Sequence, residues 1–178
     1  NGPRVARVGT HALKARSPTT LWKRLAQPRG QMQSGGGNHR GSIFRLITGS
    51  SLIRRHIYVY PTWGCGNTAR SDIRAAEKPL ETEVSILIGR MPLLWLALED
   101  EAGPNSVRGY IERNSIALLS NFAKTPLDAP SAMWLGLSCD RQRIRESGLW
   151  NSNHVDEPYD PAFLSVFEQH VADLRLQT

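Results

Sequence analysis

Ser106–Phe122, SVRGYIERNSIALLSNF, reads as a helix in which one carboxylate stands among apolar and basic side chains. Val107, Tyr110, Ile111, Leu118 and Phe122 recur at helical spacing, so that face packs on a core. Glu112 lies one position off the stripe, at its border, where a carboxylate is held and still reaches a cleft. A second reading pairs it with Arg108 on a solvated face, an i,i+4 contact worth only tenths of a kcal/mol. The surrounding chain weighs one against the other.

Just upstream, Leu93–Leu98 (LLWLAL) follows Pro92 as a continuous apolar run, short enough for a strand buried on both faces. Arg4–Thr10 (RVARVGT) has the composition of another short strand, ending at Gly9. Ser17-Pro18 then opens a helix through Leu21, Trp22 and Leu25 to about Gln27, with Pro28 closing it. A Gly-rich stretch, Ser34–Ser42, feeds a second helix through Ile43, Leu46, Ile47, Leu52 and Ile53. His56–Tyr60 (HIYVY) is extended by propensity, residues 67–79 form a solvated connection, and a third helix spans about Leu80–Gly89. After Phe122 come a short strand at Trp134–Leu137, a short helix at Arg141–Glu146 closed by Gly148, and an irregular polar run at 149–157. A last helix starts at Asp160-Pro161 and buries Phe163, Val166, Phe167, His170, Val171 and Leu174. This order predicts an α+β fold, a small antiparallel sheet flanked by helices, with a C-terminal loop-and-helix extension.

At 178 residues and 40% hydrophobic composition, the chain is long enough for one domain with a real core. It contains no apolar run of membrane-spanning length and no signal-peptide pattern. Two cysteines, Cys65 and Cys139, make neither a disulfide framework nor a zinc site, which predicts a reducing, cytoplasmic setting. Charge is split along the chain. Residues 1–70 carry twelve Lys/Arg and no Asp or Glu, whereas residues 71–178 carry ten Lys/Arg and all sixteen Asp/Glu. A basic first part, interspersed with anchors such as Trp22 and Phe44, fits a face that lies on phosphates and releases counterions. A plain solubility face is the competing reading.

The Gly-rich stretch, with Asn38, His39 and Arg40 at its end, can hold a phosphate through backbone N–H groups or serve as a mobile linker. It lacks the spacing and the Lys-Ser/Thr pair of a P-loop. His154-Val155-Asp156-Glu157 carries metal-ligand chemistry but no second histidine at helical spacing, so it reads as a polar loop or cap. His170 falls on an apolar stripe and reads as structural. Cys65, between two glycines, has no adjacent His or Asn to activate it.

Three local matches resemble the GIY-YIG nuclease domain. Arg7-Val8-Gly9-Thr10 followed by Leu21-Trp22-Lys23-Arg24-Leu25 is similar to its YIG strand and arginine helix. Leu93–Leu98 is similar to its third strand. Tyr110-Ile111-Glu112-Arg113-Asn114-Ser115-Ile116 resembles its glutamate helix, where Glu-x-Asn-x-Ile is common. The Gly-Gly-Gly-Asn-His-Arg-Gly-Ser-Ile-Phe-Arg stretch (35–45) and the Gly148-Leu149-Trp150-Asn151 tail are similar to those of bacterial relatives of that fold. The resemblance covers roughly residues 3–122. It implies a nuclease-like domain at 1–122, lacking the GIY strand, and a loop-rich extension at 123–178 packed on it.

What the resemblance implies is hydrolysis of DNA phosphodiester bonds with one divalent metal, Mg²⁺ or Mn²⁺, held by Glu112. Arg24 would pair with the scissile phosphate, and His39 or His11 would accept or relay a proton. DNA would lie on Lys14, Arg16, Lys23, Arg24, Arg29, His39, Arg40 and Arg45, with no small-molecule cofactor. The sequence departs from the family at several positions. Arg7 holds the place of the YIG tyrosine, Pro28 that of a histidine four residues after the arginine, and Lys124 that of a distal asparagine. These departures favour an alternative, a nucleic-acid-binding module of the same fold with impaired catalysis.

Overall fold

A computed structural model describes residues 3–31 and 36–176. Residues 32–35, at the start of the Gly-rich stretch, and the Leu174 side chain lie outside the described residues.

The elements are α1 (Leu21–Arg29), α2 (Ile43–His56), α3 (Ser71–Gly89), α4 (Val107–Leu119), α5 (Gln142–Ser147) and α6 (Phe163–Leu176), with 3₁₀ turns at His39–Gly41 and Leu135–Ser138. Hydroxyl caps fix three of the starts. Thr20 accepts from the Lys23 N–H, Ser42 from the Arg45 N–H and Ser106 from the Gly109 N–H.

The main core forms where α2 crosses α3. Phe44, Ile47 and Leu52 meet Leu80, Val84 and Ile88, and Leu135, Cys139, Ile144 and Trp150 close the far side. Each fully buried side chain of this size contributes about 1.5–3 kcal/mol. A smaller cluster joins Ile116 of α4 to Leu149 and Val155, with Val8, Leu119 and Phe122 packed against it. That second cluster ties the first residues of the chain to α4 and to the 149–155 run.

The expected antiparallel sheet is absent: the described residues contain helices and no strand, and their one β-bridge is the isolated Gln31–Gly36 pair. Each segment expected as a strand finds another state. Arg4–Thr10 is extended, but its backbone groups bond to side chains and to an irregular run instead of a ladder. Leu93–Leu98 is irregular, with Leu94 91% and Trp95 69% exposed. An apolar run becomes a buried strand only when a neighbour takes its backbone N–H and C=O groups, and none of the described residues does so here. His56–Tyr60 begins as the last turn of α2, with Ile57 left-handed at φ 56°. Trp134–Leu137 turns as a 3₁₀ segment because Leu135 packs against α2.

Two helices differ from the expected bounds. α1 starts at Leu21, since Ser17 bonds Thr19 and leaves the cap to Thr20. Pro28 sits inside its last turn, where a missing N–H costs one bond near the end, and Gly30 (φ 65°) lets the chain leave. α3 begins at Ser71, so much of the expected solvated connection is helical. Pro79 is tolerated within it on an exposed face.

Beside the core, α2 and α3 share a buried ionic network. Arg45, with its side chain fully buried, donates to the Glu81 carboxylate, to Ser85 Oγ (3.0 Å) and to the Pro28 carbonyl (2.9 Å). His39 reaches the same carboxylate from its backbone N–H (2.6 Å) and from Nδ1 (2.9 Å), while Nε2 accepts the Gly64 N–H (3.1 Å). Arg40 forms a two-pronged pair with Glu77 (2.6 and 2.9 Å). Gly37 lies against the Arg45 guanidinium, where any Cβ would collide. The described end of the Gly-rich stretch therefore closes over this network.

Candidate active site

Arg4–Thr10 is held in place by the run that follows α5. Trp150 N–H donates to the Ala6 carbonyl (2.7 Å), and the Asn151 amide makes both bonds of a strand partner. Its Oδ1 accepts from the Val8 N–H (3.0 Å) and its Nδ2 donates to the Val8 carbonyl (2.8 Å). Arg4 donates to the Gly148 carbonyl (2.6 Å) and Arg7 to the Trp150 carbonyl (3.3 Å). The Arg7 guanidinium also sits over the Phe44 ring at 4.4 Å.

This clamp delivers Thr10 to α4. The Thr10 N–H donates to Glu112 Oε1 at 3.0 Å, the one hydrogen bond that the described residues give this carboxylate. The charges of His154, Arg24 and Arg7 act on it. Burial still wins and pushes the Glu112 carboxyl above the usual carboxylate range, against the Thr10 N–H and the charges of His154, Arg24 and Arg7. Burial, with help from the Arg24 charge, lowers the Arg7 guanidinium to about 10. Arg24 and Glu112 lie 88 positions apart in sequence, and the Arg24 charge still acts on the Glu112 carboxyl.

The expected histidines have partners of their own. Both His39 ring nitrogens are engaged inside the fold and the ring stacks on Trp63 at 3.8 Å, so it has no nitrogen left for a proton relay. His11 faces Arg108 (3.3 Å from Nη1 to Nε2), which is itself paired with Asp100. Burial and the Arg108 charge hold the His11 imidazole below its usual range, against Asp100.

Of the residues expected to lie on DNA, Arg40 and Arg45 are spent on Glu77 and Glu81 and their side chains are buried. Lys14, Arg16, Lys23, Arg24 and Arg29 are exposed and make no ion pair among the described residues. They form the loop before α1 and α1 itself, which also carries the exposed Trp22.

No group of three or more His, Cys, Asp or Glu able to hold a metal occurs among the described residues. Glu112 therefore offers a single-carboxylate site. A hard cation that keeps most of its waters and takes one or two carboxylates suits such a donor set. The lone pairs that Thr10 leaves unused are the available ligand atoms.

A family model described as the GIY-YIG domain matches residues 1–177. The chain belongs to the GIY-YIG family. Membership brings a nuclease-type function, and the match runs through the 123–177 segment as well as the part that carries Arg24 and Glu112. No curated protein and no solved structure matches the chain. No helix among the described residues of this GIY-YIG domain is long and apolar enough to cross a membrane.

Two residues next to Thr10 and Glu112 stand out in the fold and not in the sequence. Asn151 looked like one polar residue in an irregular run, and only the fold reveals that its amide replaces a strand. His154 lies in a loop, as its surroundings in sequence predict, and has no second histidine one helical turn away. Its partner is instead Glu157, three residues on, across a left-handed turn (φ 61° at His154).

Proposed function

We propose that this domain hydrolyses DNA phosphodiester bonds with one divalent ion, Mg²⁺ or Mn²⁺, held by Glu112. The observation that carries the reading is a half-buried carboxylate with a single backbone donor, on which the charges of His154, Arg24 and Arg7 act. A carboxylate in that state has affinity to spare for a cation. When bound, such an ion polarises the scissile phosphate and stabilises the leaving 3′ oxygen.

The chain's own residues do the rest. Arg24 is exposed on α1, so its planar donor fork is free to pair with the scissile phosphate and offset the charge that builds there. Arg7 is fixed by the Trp150 carbonyl and the Phe44 ring, and it supplies a second, immobile cation. Lys14, Arg16, Lys23 and Arg29 extend the positive face along which a duplex is drawn in.

The test is nicking of supercoiled plasmid in Mg²⁺ or Mn²⁺ by the full chain and by Glu112→Ala and Arg24→Ala. Metal-dependent nicking lost in both variants supports the enzyme. Arg7 in place of the YIG tyrosine favours the second reading, a binding module with impaired catalysis. Salt-sensitive DNA binding with no cleavage by the wild-type chain would establish that reading and overturn the first.

A further inference from the structure

We propose that His154, oriented by Glu157, is the proton acceptor for the attacking water at the Glu112 site. The inference rests on the nuclease reading above and adds to it the residue that takes the proton.

Position comes from two anchors on either side of His154. Three residues before it, Asn151 binds both backbone groups of Val8, two residues from the Thr10 N–H that holds Glu112. Three residues after it, Glu157 pairs with Arg113, the α4 neighbour of Glu112, at 2.6 Å. Further along, Asp160 bonds two α4 side chains: its N–H donates to Asn114 Oδ1 (2.7 Å) and its carboxylate accepts from Tyr110 Oη (2.7 Å). The 151–160 run is therefore tied to both elements that present Glu112, with His154 between the ties. The influence of the His154 charge on the Glu112 carboxyl agrees with this placement.

Orientation comes from Glu157. Its Oε1 lies 2.8 Å from His154 Nδ1. A carboxylate there takes the Nδ1–H and leaves Nε2 as the basic nitrogen, the arrangement that suits an imidazole acting as a base. Among the described residues Nε2 has no hydrogen-bond partner. His39, by contrast, has both nitrogens engaged, and the nitrogen of His11 that has a partner faces Arg108. The left-handed backbone at His154 is a conformation that histidine enters more readily than most residues.

The step balances as follows. The water oxygen bonds to phosphorus while its proton passes to His154 Nε2. The bond from phosphorus to the 3′ oxygen breaks, and that oxygen takes a proton from solvent.

The experiment uses the full chain, a duplex oligonucleotide and Mg²⁺. His154→Gly should lower kcat by about 10²–10⁴-fold with DNA affinity retained, and added imidazole should restore part of the rate. Glu157→Gln, which keeps the acceptor oxygen but not its charge, should slow the wild type several-fold and have no further effect in the His154→Gly background. Independently of turnover, Mn²⁺ should broaden the His154 ring resonances of the folded protein, and Glu112→Gln should abolish the broadening.

Unchanged kcat in His154→Gly alongside loss of cleavage in Glu112→Ala would overturn the assignment and leave the nuclease reading standing. Failure of imidazole to restore a rate lost in folded His154→Gly would overturn it in the same way. So would Mn²⁺ that binds at Glu112 without touching the His154 ring. A wild-type chain that never cleaves would overturn both.

Discussion

Glu81, buried, and Glu112, half-buried, are carboxylates drawn from water in one small domain, and the fold treats them oppositely. Glu81 lies between α2 and α3 and accepts from the Arg45 guanidinium and from both the backbone and the ring of His39. Burial would raise its carboxyl, but those bonds outweigh burial and hold it below the usual range. Glu112 lies on α4 with one backbone donor; burial outweighs that bond and the pull of His154, Arg24 and Arg7, and its carboxyl is pushed up. A satisfied buried charge is part of the scaffold. An underserved one retains affinity for a proton or a metal ion, which is the mark of a functional group.

The comparison breaks most sharply in the scaffold. Arg45→Met leaves Glu81 buried without its main partner and should cost about 3–5 kcal/mol, read from urea unfolding. A loss well under that would mean that Glu81 is not held as described. The acid side carries the same sign. A carboxyl held low contributes stability that is present above its unfolded value, near 4.5, and is lost as pH falls through its lower folded value. The penalty of Arg45→Met should therefore shrink in strong acid.

Next comes the clamp that positions Glu112's single donor. Asn151→Ala removes two hydrogen bonds from the Val8 backbone and should cost about 1–3 kcal/mol, with faster hydrogen exchange at the Val8 and Thr10 amides. Unchanged exchange would mean that the 4–10 segment is held by packing alone.

The smallest effect has the opposite direction. Glu112→Gln keeps an oxygen for the Thr10 N–H and removes a charge that the fold disfavours, so it should raise the thermal midpoint at neutral pH. A carboxyl held high contributes stability below its unfolded value that is lost as pH rises through its folded value. The gain from Glu112→Gln should then vanish in acid. A lower midpoint at neutral pH would contradict the description of Glu112 as underserved.

The helices were legible in the sequence because caps and spacing are local. α2 and α4 start at Ile43 and Val107, next to the expected positions, and Gly148 ends α5 as expected, whereas the Ser17 cap expected for α1 gave way to Thr20. The glutamate helix and the arginine helix carry the family resemblance, and with it Glu112 and Arg24. The absence of a sheet was not legible, because β-propensity marks a segment that fits a half-buried surface without supplying a partner. At Arg4–Thr10 the partner turned out to be a side-chain amide. The roles of Arg40, Arg45 and His39 were hidden for a related reason. A basic run looks the same in sequence whether it faces phosphate or a carboxylate on another helix, and Glu77 and Glu81 lie more than 30 residues away.

If Glu112 is kept unsatisfied for a divalent ion, Mn²⁺ binding followed by electron paramagnetic resonance will report it. The wild-type chain should bind one Mn²⁺, and Glu112→Gln, still folded, should lose it. Equal Mn²⁺ binding by both would contradict the account.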